Sequence, residues 1–374
     1  MSFRFLCVML TLTLALLSSA GCSDRLDLES AATPLALGID LDPNNKFHFY
    51  SISPVFSKSI PKKSIENSGI ARSLRQSRAE QDAQTGGAVS GRNFQVILVG
   101  KRILQQPDWF KIMDVIFRDS RNTTTDRMIA VDGPVAELIH SPPPDEPLIP
   151  ILLRTMVNTN SGRGETVSTT IQELHRQMYD KGITPSIAEV QLHKTKIKMQ
   201  GTVLLDKRGR YAHTLGQQDS VLLNILKGKA KAGVSLTFPV PNQPKTGPFD
   251  TDTVSFSAEK IDTKIKPSFK NSKFHFDIRI KITAALSERL FPYDMMRHTK
   301  ELEKTVSKQT QHQFQELIRE FQKHRIDPIG LGMYARAYEF KAFEQVKDHW
   351  SEELSRSDIH VTAVVQISSM GPVK

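Results

Sequence analysis

Apolar and polar residues follow one another along this chain in blocks that switch between a period of two and a period near 3.6, and each switch predicts an element. Apolar runs at 36–40 and 47–52 flank Asp42-Pro43-Asn44-Asn45-Lys46, turn chemistry that predicts a β-hairpin. Residues 57–69 are polar and basic, with Lys58, Lys62 and Lys63 around Pro61, and read as a mobile loop. Residues 70–84 have helical composition but little apolar stripe, and end at Gly86-Gly87. The stretch 93–100 carries a short continuous apolar run of the kind that forms a buried strand. Behind it Pro107 suits a first helical turn and Asp108 complements its dipole, while Trp109, Ile112, Met113 and Ile116 recur at helical spacing. Residues 128–131 then predict a strand and 134–139 a short helix. This alternation implies a mixed α/β sheet with a helical layer.

Pro142-Pro143-Pro144 and residues 145–150 interrupt the pattern. Thr169 and Thr170 open overlapping capping boxes, and Ile171, Leu174 and Met178 predict a helix stopped by Gly182. Residues 187–198 read as extended, with Lys194, Lys196 and Lys198 on a solvated face. A second unit is predicted to start near 198: a hairpin of 201–205 and 211–215, then a helix over 219–226. Residues 234–238 precede a Pro/Gly-rich break at 239–250, after which 254–266 and 273–286 alternate as antiparallel strands with one wet face. The longest helix is predicted over 296–323, with Leu302, Val306, Phe314, Leu317, Ile318 and Phe321 on the side that packs along a sheet. A turn at 327–332, a helix marked by Phe343, Val346 and Trp350, and a strand alternating through Ile359, Val361, Ala363, Val365 and Ile367 close the chain.

The first residues follow another logic. Arg4 precedes an apolar run over 5–17, too short to span a bilayer comfortably, and Ser18-Ser19-Ala20-Gly21 leads into Cys22. This reads as a bacterial lipoprotein signal, 1–21, cleaved before Cys22, whose thiol takes diacylglycerol. Ser19 stands where such signals usually carry Leu, so a plain secretory signal or an uncleaved anchor helix are the other readings. Acyl chains at about 0.8 kcal/mol per buried methylene would tether a folded body outside the cytoplasmic membrane.

Composition sharpens this picture. Lys and Arg number 50 against 40 Asp and Glu, for a net charge of +10 in 374 residues. Loss of 1–21 removes Arg4 and Cys7, so Cys22 is the sole cysteine of the mature chain and no intramolecular disulfide forms. A body of roughly 350 residues exceeds one ordinary hydrophobic core, which implies two or three domains. No further long apolar run occurs, so the body reads as soluble. Neither a zinc spacing nor an RNP-like strand accompanies the basic excess, which excludes the usual nucleic-acid modules. The charge favours approach to an anionic membrane surface instead, within a Debye length.

Taken in order, these pieces resemble the C-subunit family of spore germinant receptors, the Ger(x)C lipoproteins. Such proteins follow the lipid cysteine with Trp-Asp-x-x-Glu-Leu; here Cys22-Ser23-Asp24-Arg25-Leu26-Asp27-Leu28 keeps the acidic positions loosely and lacks the Trp. Val99-Gly100, Arg118-Asp119, Ala136-Glu137-Leu138 and the Gly201-Thr202-Val203 hairpin are similar to landmarks of the family, and the tail is the most specific part: Asp327-Pro328-Ile329-Gly330 with Gly332, then Trp350, then a valine-rich strand closing on Gly371. The resemblance implies an α+β, multidomain fold of mixed and antiparallel β-sheets with packed helices, in a lipid-anchored extracytoplasmic body. It also implies a subunit that assembles with two integral membrane subunits of a nutrient receptor in the spore inner membrane. Ligand recognition would fall to the transporter-like partner, which leaves direct germinant binding by this chain open.

A search for enzyme chemistry finds no nucleophile, acid/base pair or metal cluster at interpretable spacing. Ser161-Gly162-Arg163-Gly164-Glu165-Thr166 lacks the Gly-Lys-Ser/Thr of a phosphate loop and reads as a surface loop. No two histidines stand at i, i+4; His298 and His312 lie fourteen apart on the predicted long helix and read as solvated. Asp327, Pro328, Gly330 and Trp350 are candidate partner-contact residues, but the favoured reading is structural: proline and glycines stop the long helix, and Trp350 packs in a core. The sequence therefore predicts a non-enzymatic receptor subunit with no cofactor, lipidated at Cys22 and divided as signal 1–21, an N-terminal α/β region 22–197 and a C-terminal α+β domain 198–374. A stand-alone extracytoplasmic solute-binding lipoprotein is the alternative.

Overall fold

In the computed structural model the apolar run predicted as a buried strand lies at the centre of an eight-stranded sheet. The structure describes residues 9, 11, 13, 31–55, 59, 62–85, 88–89, 93–120, 122–141, 146–240, 247 and 252–370; the rest of the segment read as a signal, Cys22, the triple proline and Gly371 lie outside them. Strands in chain order are β1 (Ala31–Ala32), β2 (Ala36–Leu41), β3 (Phe47–Pro54), β4 (Ser64–Ile70), β5 (Ala88–Val89), β6 (Val96–Gly100), β7 (Arg127–Val131), β8 (Ser186–His193), β9 (Lys196–Leu205) and β10 (Tyr211–Leu215). The large sheet runs β10-β9-β8-β7-β6-β2-β3-β4, while β1 and β5 form a separate parallel pair. Its four central strands β2, β6, β7 and β8 are parallel, and antiparallel hairpins extend both sides.

Burial on both faces explains the unbroken apolar run of β6. Ile97 and Val99 point into one core with Trp109, Phe110, Met113, Ile171 and Leu174. Val96 and Leu98 point into another, with Val135, Leu138, Ile139, Leu153 and Val157. The second core includes the helix Ile149–Gly162, in a stretch that the sequence pattern left uninterpreted after its prolines. Its Pro150 occupies the first turn, where a missing N–H leaves no intrahelical bond unmade.

The remaining strands, β11 (Ser235–Pro239), β12 (Thr253–Lys270), β13 (Lys273–Arg289) and β14 (Asp358–Ser369), make a four-stranded sheet in that order. The β12–β13 hairpin turns at Asn271 and Ser272, both with positive φ, and β14 joins β13 in parallel. Phe274, Phe276, Ile278, Ile280, Ile282 and Ala284 alternate inward along β13, and the helix Met295–His324 lays Leu302, Val306, Phe314, Leu317, Ile318 and Phe321 in the same core. The Asp294 carboxylate accepts the Arg297 N–H at its start and Arg325, left-handed at φ 54°, closes it.

Four local expectations are corrected. Residues 64–69, read as part of a mobile loop, and Ile70, read as opening a helical stretch, form the edge strand β4, paired with β3 from Pro54–Ser64 to His48–Ile70. Its polar composition suits an edge, where one flank meets solvent. Pro107 does not open a regular helix: Asp108 is left-handed at φ 60°, and a 3₁₀ turn Trp109–Met113 leads into a short helix Asp114–Arg118. The extended stretch at 187–198 is two strands, β8 and β9, reversed at Lys194 (φ 56°). The helix marked by Phe343 and Trp350 is two short helices, Phe340–Val346 and Trp350–Arg356, joined by a 3₁₀ turn.

One buried acid has a measurable consequence. Asp126 accepts the Thr123 hydroxyl at 2.6 Å through Oδ1, while its buried Oδ2 has no hydrogen-bond partner among the described residues. Burial pushes its pKa up to about 6, against the pull of Thr123 and Arg154. A raised carboxylate pKa means that the associated stability is present below the unfolded pKa and is lost as pH rises through about 6. We expect Asp126→Asn to abolish that step and to stabilise the fold at neutral pH by on the order of 1–2 kcal/mol, after the cost of an unpaired amide N–H. Urea unfolding of both proteins at acid and neutral pH measures this; equal pH dependence would contradict it.

Candidate functional site

The tail motif that the sequence singled out folds into a buried node. After the cap at Arg325 the chain enters the interior, and Asp327 is only 1% exposed. Its Oδ1 accepts the backbone N–H of Gly330 at 2.8 Å and of Leu331 at 2.9 Å; Oδ2 accepts Gly332 N–H and the Trp350 indole N–H, both at 2.8 Å. One carboxylate thus caps the helix Leu331–Tyr338 and fixes a side chain twenty-three residues away. Burial raises the Asp327 pKa, opposed by these four donors. Gly330 takes φ 89°, a left-handed conformation that favours glycine. Trp350 lies against Phe274, Phe276 and Phe343, with ring centroids 5.3, 6.3 and 5.5 Å away.

The node also holds the first half of the chain. Asp327 N–H donates to Thr184 Oγ1 and Thr184 N–H to Asp327 O, both at 2.9 Å. Arg336 donates both Nη atoms to the Asp180 carboxylate at 3.1 Å. Between these contacts Gly182 meets Gly332 so closely that a Cβ on Gly182 would stand 2.6 Å from backbone atoms of Gly332 and Met333. Asp327, Pro328, Gly330 and Trp350 are therefore brought together, and all four are buried.

A second constellation, which sequence reasoning passed over, lies at the carboxyl ends of the parallel strands. Asp40, at the end of β2, accepts N–H groups from Leu41 at 2.8 Å and Val135 at 2.9 Å. Its pKa is raised by burial against those donors. Gly100 ends β6 beside it, where a Cβ would stand 2.1 Å from Asp40 Oδ1. Lys101 follows, donating to Asp132 Oδ1 at 2.9 Å and lying 3.7 Å from buried Glu189 Oε1. Burial opposes the charge on Lys101, but Asp132 and Glu189 outweigh it and raise its pKa; burial raises that of Glu189. Asp40, Asp42, His48, Tyr50, Lys101 and Arg102 border a cavity of about 510 Å³ here, the place in an open parallel sheet where ligands commonly bind. Asp132 holds Lys101, and backbone N–H groups hold Asp40, so the arrangement orders the strand ends. The only sequence signal was a polar residue directly after each apolar run.

Comparison with known proteins agrees with this architecture. Residues 24–192 match the family described as spore germination protein N-terminal domain, and residues 200–371 match the one described as spore germination B3/GerAC like, C-terminal. Spore germination protein B3 of Bacillus subtilis (strain 168) is 22% identical over 377 aligned positions, covering 96% of each chain. The crystal structure of the GerBC protein shares the fold, with a TM-score of 0.59 at 18% identity over 89% of this chain and 96% of that one. With both halves matched in order, this α+β, multidomain chain belongs to the GerAC-like family of spore germination proteins.

Proposed function

We propose that the chain is the lipid-anchored, extracytoplasmic subunit of a nutrient germinant receptor, without enzymatic activity of its own, and that it works beside two integral membrane subunits in the spore inner membrane. The observation that carries this reading is the match along nearly the whole chain, 96% of it and 96% of its relative. Family membership makes it a germinant receptor component, in a family that is not one of enzymes. No helix among the described residues is long and apolar enough to cross a membrane; in this reading acyl chains on Cys22 supply the attachment. Eight residues, 23–30, separate Cys22 from β1. At no more than about 3.5 Å each they hold the start of the body within roughly 30 Å of the bilayer.

Asp327, Pro328, Gly330 and Trp350 act on a partner in this reading only through the surface they shape, since they are themselves covered. That surface includes Tyr338 and Phe340, 71% and 58% exposed, at the end of the helix that Asp327 caps. We keep the division at 22–197 and 198–374 as part of the proposal, supported by where the two family matches meet; β9 crosses it, so the second unit lends strands to the first unit's sheet. A stand-alone solute-binding lipoprotein would use the cavity beside Asp40, and the engagement of Lys101 by Asp132 and of Asp40 by the Val135 N–H speaks against that.

The test is retention. Cys22→Ala is expected to leave the chain unlipidated and lost from the spore membrane fraction, read by fractionation and mass spectrometry of the N-terminus; undiminished retention would sink the anchor. Pull-down of the wild-type chain in mild detergent should recover two polytopic proteins. Recovery of lipidated chain alone would favour the solute-binding reading.

A further inference from the structure

We infer that His213, Glu320 and His324 form a binding site for a divalent transition-metal ion of the zinc class. One donor atom from each lies within 4.8 Å of the others, and all three side chains are partly buried. Two imidazoles and one carboxylate make a donor set suited to zinc, with a position left open for water or a further ligand. An ion about 2.0–2.2 Å from each donor needs donor–donor separations near 3–3.5 Å, within reach of side-chain rotation.

Different elements deliver the ligands. His213 sits on β10, the edge strand of the large sheet, where the pairing with β9 shifts register between Tyr211 and His213. Such a bulge re-aims a side chain. Glu320 and His324 stand one turn apart at the end of the long helix, where the unpaired carbonyls favour a cation. The rings of His213 and His324 lie face to face with centroids 4.9 Å apart, and the Glu320 carboxylate is shared between His324 Nε2 at 3.4 Å and Lys323 Nζ at 3.3 Å. Metal binding would release Lys323 to solvent. His213 and Glu320 also face a cavity of about 280 Å³, with Asp219 and Glu316 on its wall. Because β10 belongs to one sheet and the helix packs on the other, a bound ion would clasp the two.

The test uses the full chain, purified in detergent through a tag without histidine, with thiols alkylated and metal stripped by a chelator. Titration with Zn²⁺ against a fluorescent competitor is expected to show one tight ion per chain. Binding should be lost in His213→Ala and in His324→Ala, weakened in Glu320→Gln, and unchanged in His298→Ala. Hydrogen exchange on the wild-type chain provides a readout independent of those variants: Zn²⁺ should slow exchange in β10 and in the last turns of the long helix together. Equal Zn²⁺ affinity in wild type and the His213→Ala/His324→Ala double variant, or no protection at either element, would overturn the site.

Discussion

Asp327→Ala is expected to unfold the chain at a markedly lower urea concentration than the wild type. The substitution strips the acceptor from the N–H groups of Gly330, Leu331 and Gly332 and from the Trp350 indole, all in a buried site. A buried donor left without a partner costs about 1–3 kcal/mol, so the loss should reach at least about 4 kcal/mol, comparable with the whole stability of many domains. Asp327→Asn should fall between, because its single carbonyl oxygen can accept from one pair of donors while its amide faces the other. Trp350 fluorescence reports the event where it begins, with Trp109 the chain's one other tryptophan. An unchanged midpoint for Asp327→Ala would mean that the node contributes no stability.

Gly182→Ala attacks the same node from the other side. Its new Cβ would meet the carbonyl carbon of Gly332 and the nitrogen of Met333, both at 2.6 Å. These are backbone atoms at the start of a capped helix, so relief requires moving that helix away from Thr184 and Asp180. Overpacking of this kind costs typically 1–3 kcal/mol, and the rigid neighbour places this case at about the upper end. Gly162→Ala is the control: its Cβ would meet nothing within 4 Å, and at the end of the helix Ile149–Gly162 it should be neutral or stabilising by up to about 1 kcal/mol. Similar thermal transitions for Gly182→Ala and Gly162→Ala would show that the two halves are not held at this contact.

Both substitutions bear on coupling within the receptor. Arg336, Asp180, Thr184 and Asp327 join residues before 198 to residues after it through buried or bidentate contacts. A signal passing through this subunit has that route available, and a variant that folds but loosens it would separate anchoring from response.

Local periodicity alone determined much of this molecule. The hairpin of β2 and β3, the buried strand β6, the capped helix Ile171–Tyr179, the long amphipathic helix and the alternating β12, β13 and β14 each follow from spacing and turn chemistry within a few residues. Where the expectation failed, as at β4 and Pro107, a tertiary partner outweighed local preference: β4 is polar because it is an edge, and Asp108 is left-handed at the point where its N–H meets Arg208 O. The proposed lipoprotein signal and lipidation at Cys22 rest wholly on the sequence. The structural reading of Asp327-Pro328-x-Gly was likewise accessible from glycine and proline chemistry, but its partners were not, since Trp350 and Thr184 stand 23 and 143 positions away. Only the folded chain could bring Asp40, Lys101, Asp132 and Glu189 together across the central parallel strands, or set His213 beside Glu320 and His324. The reason is that periodicity records which face of an element is buried, whereas strand order and helix docking decide which distant faces meet.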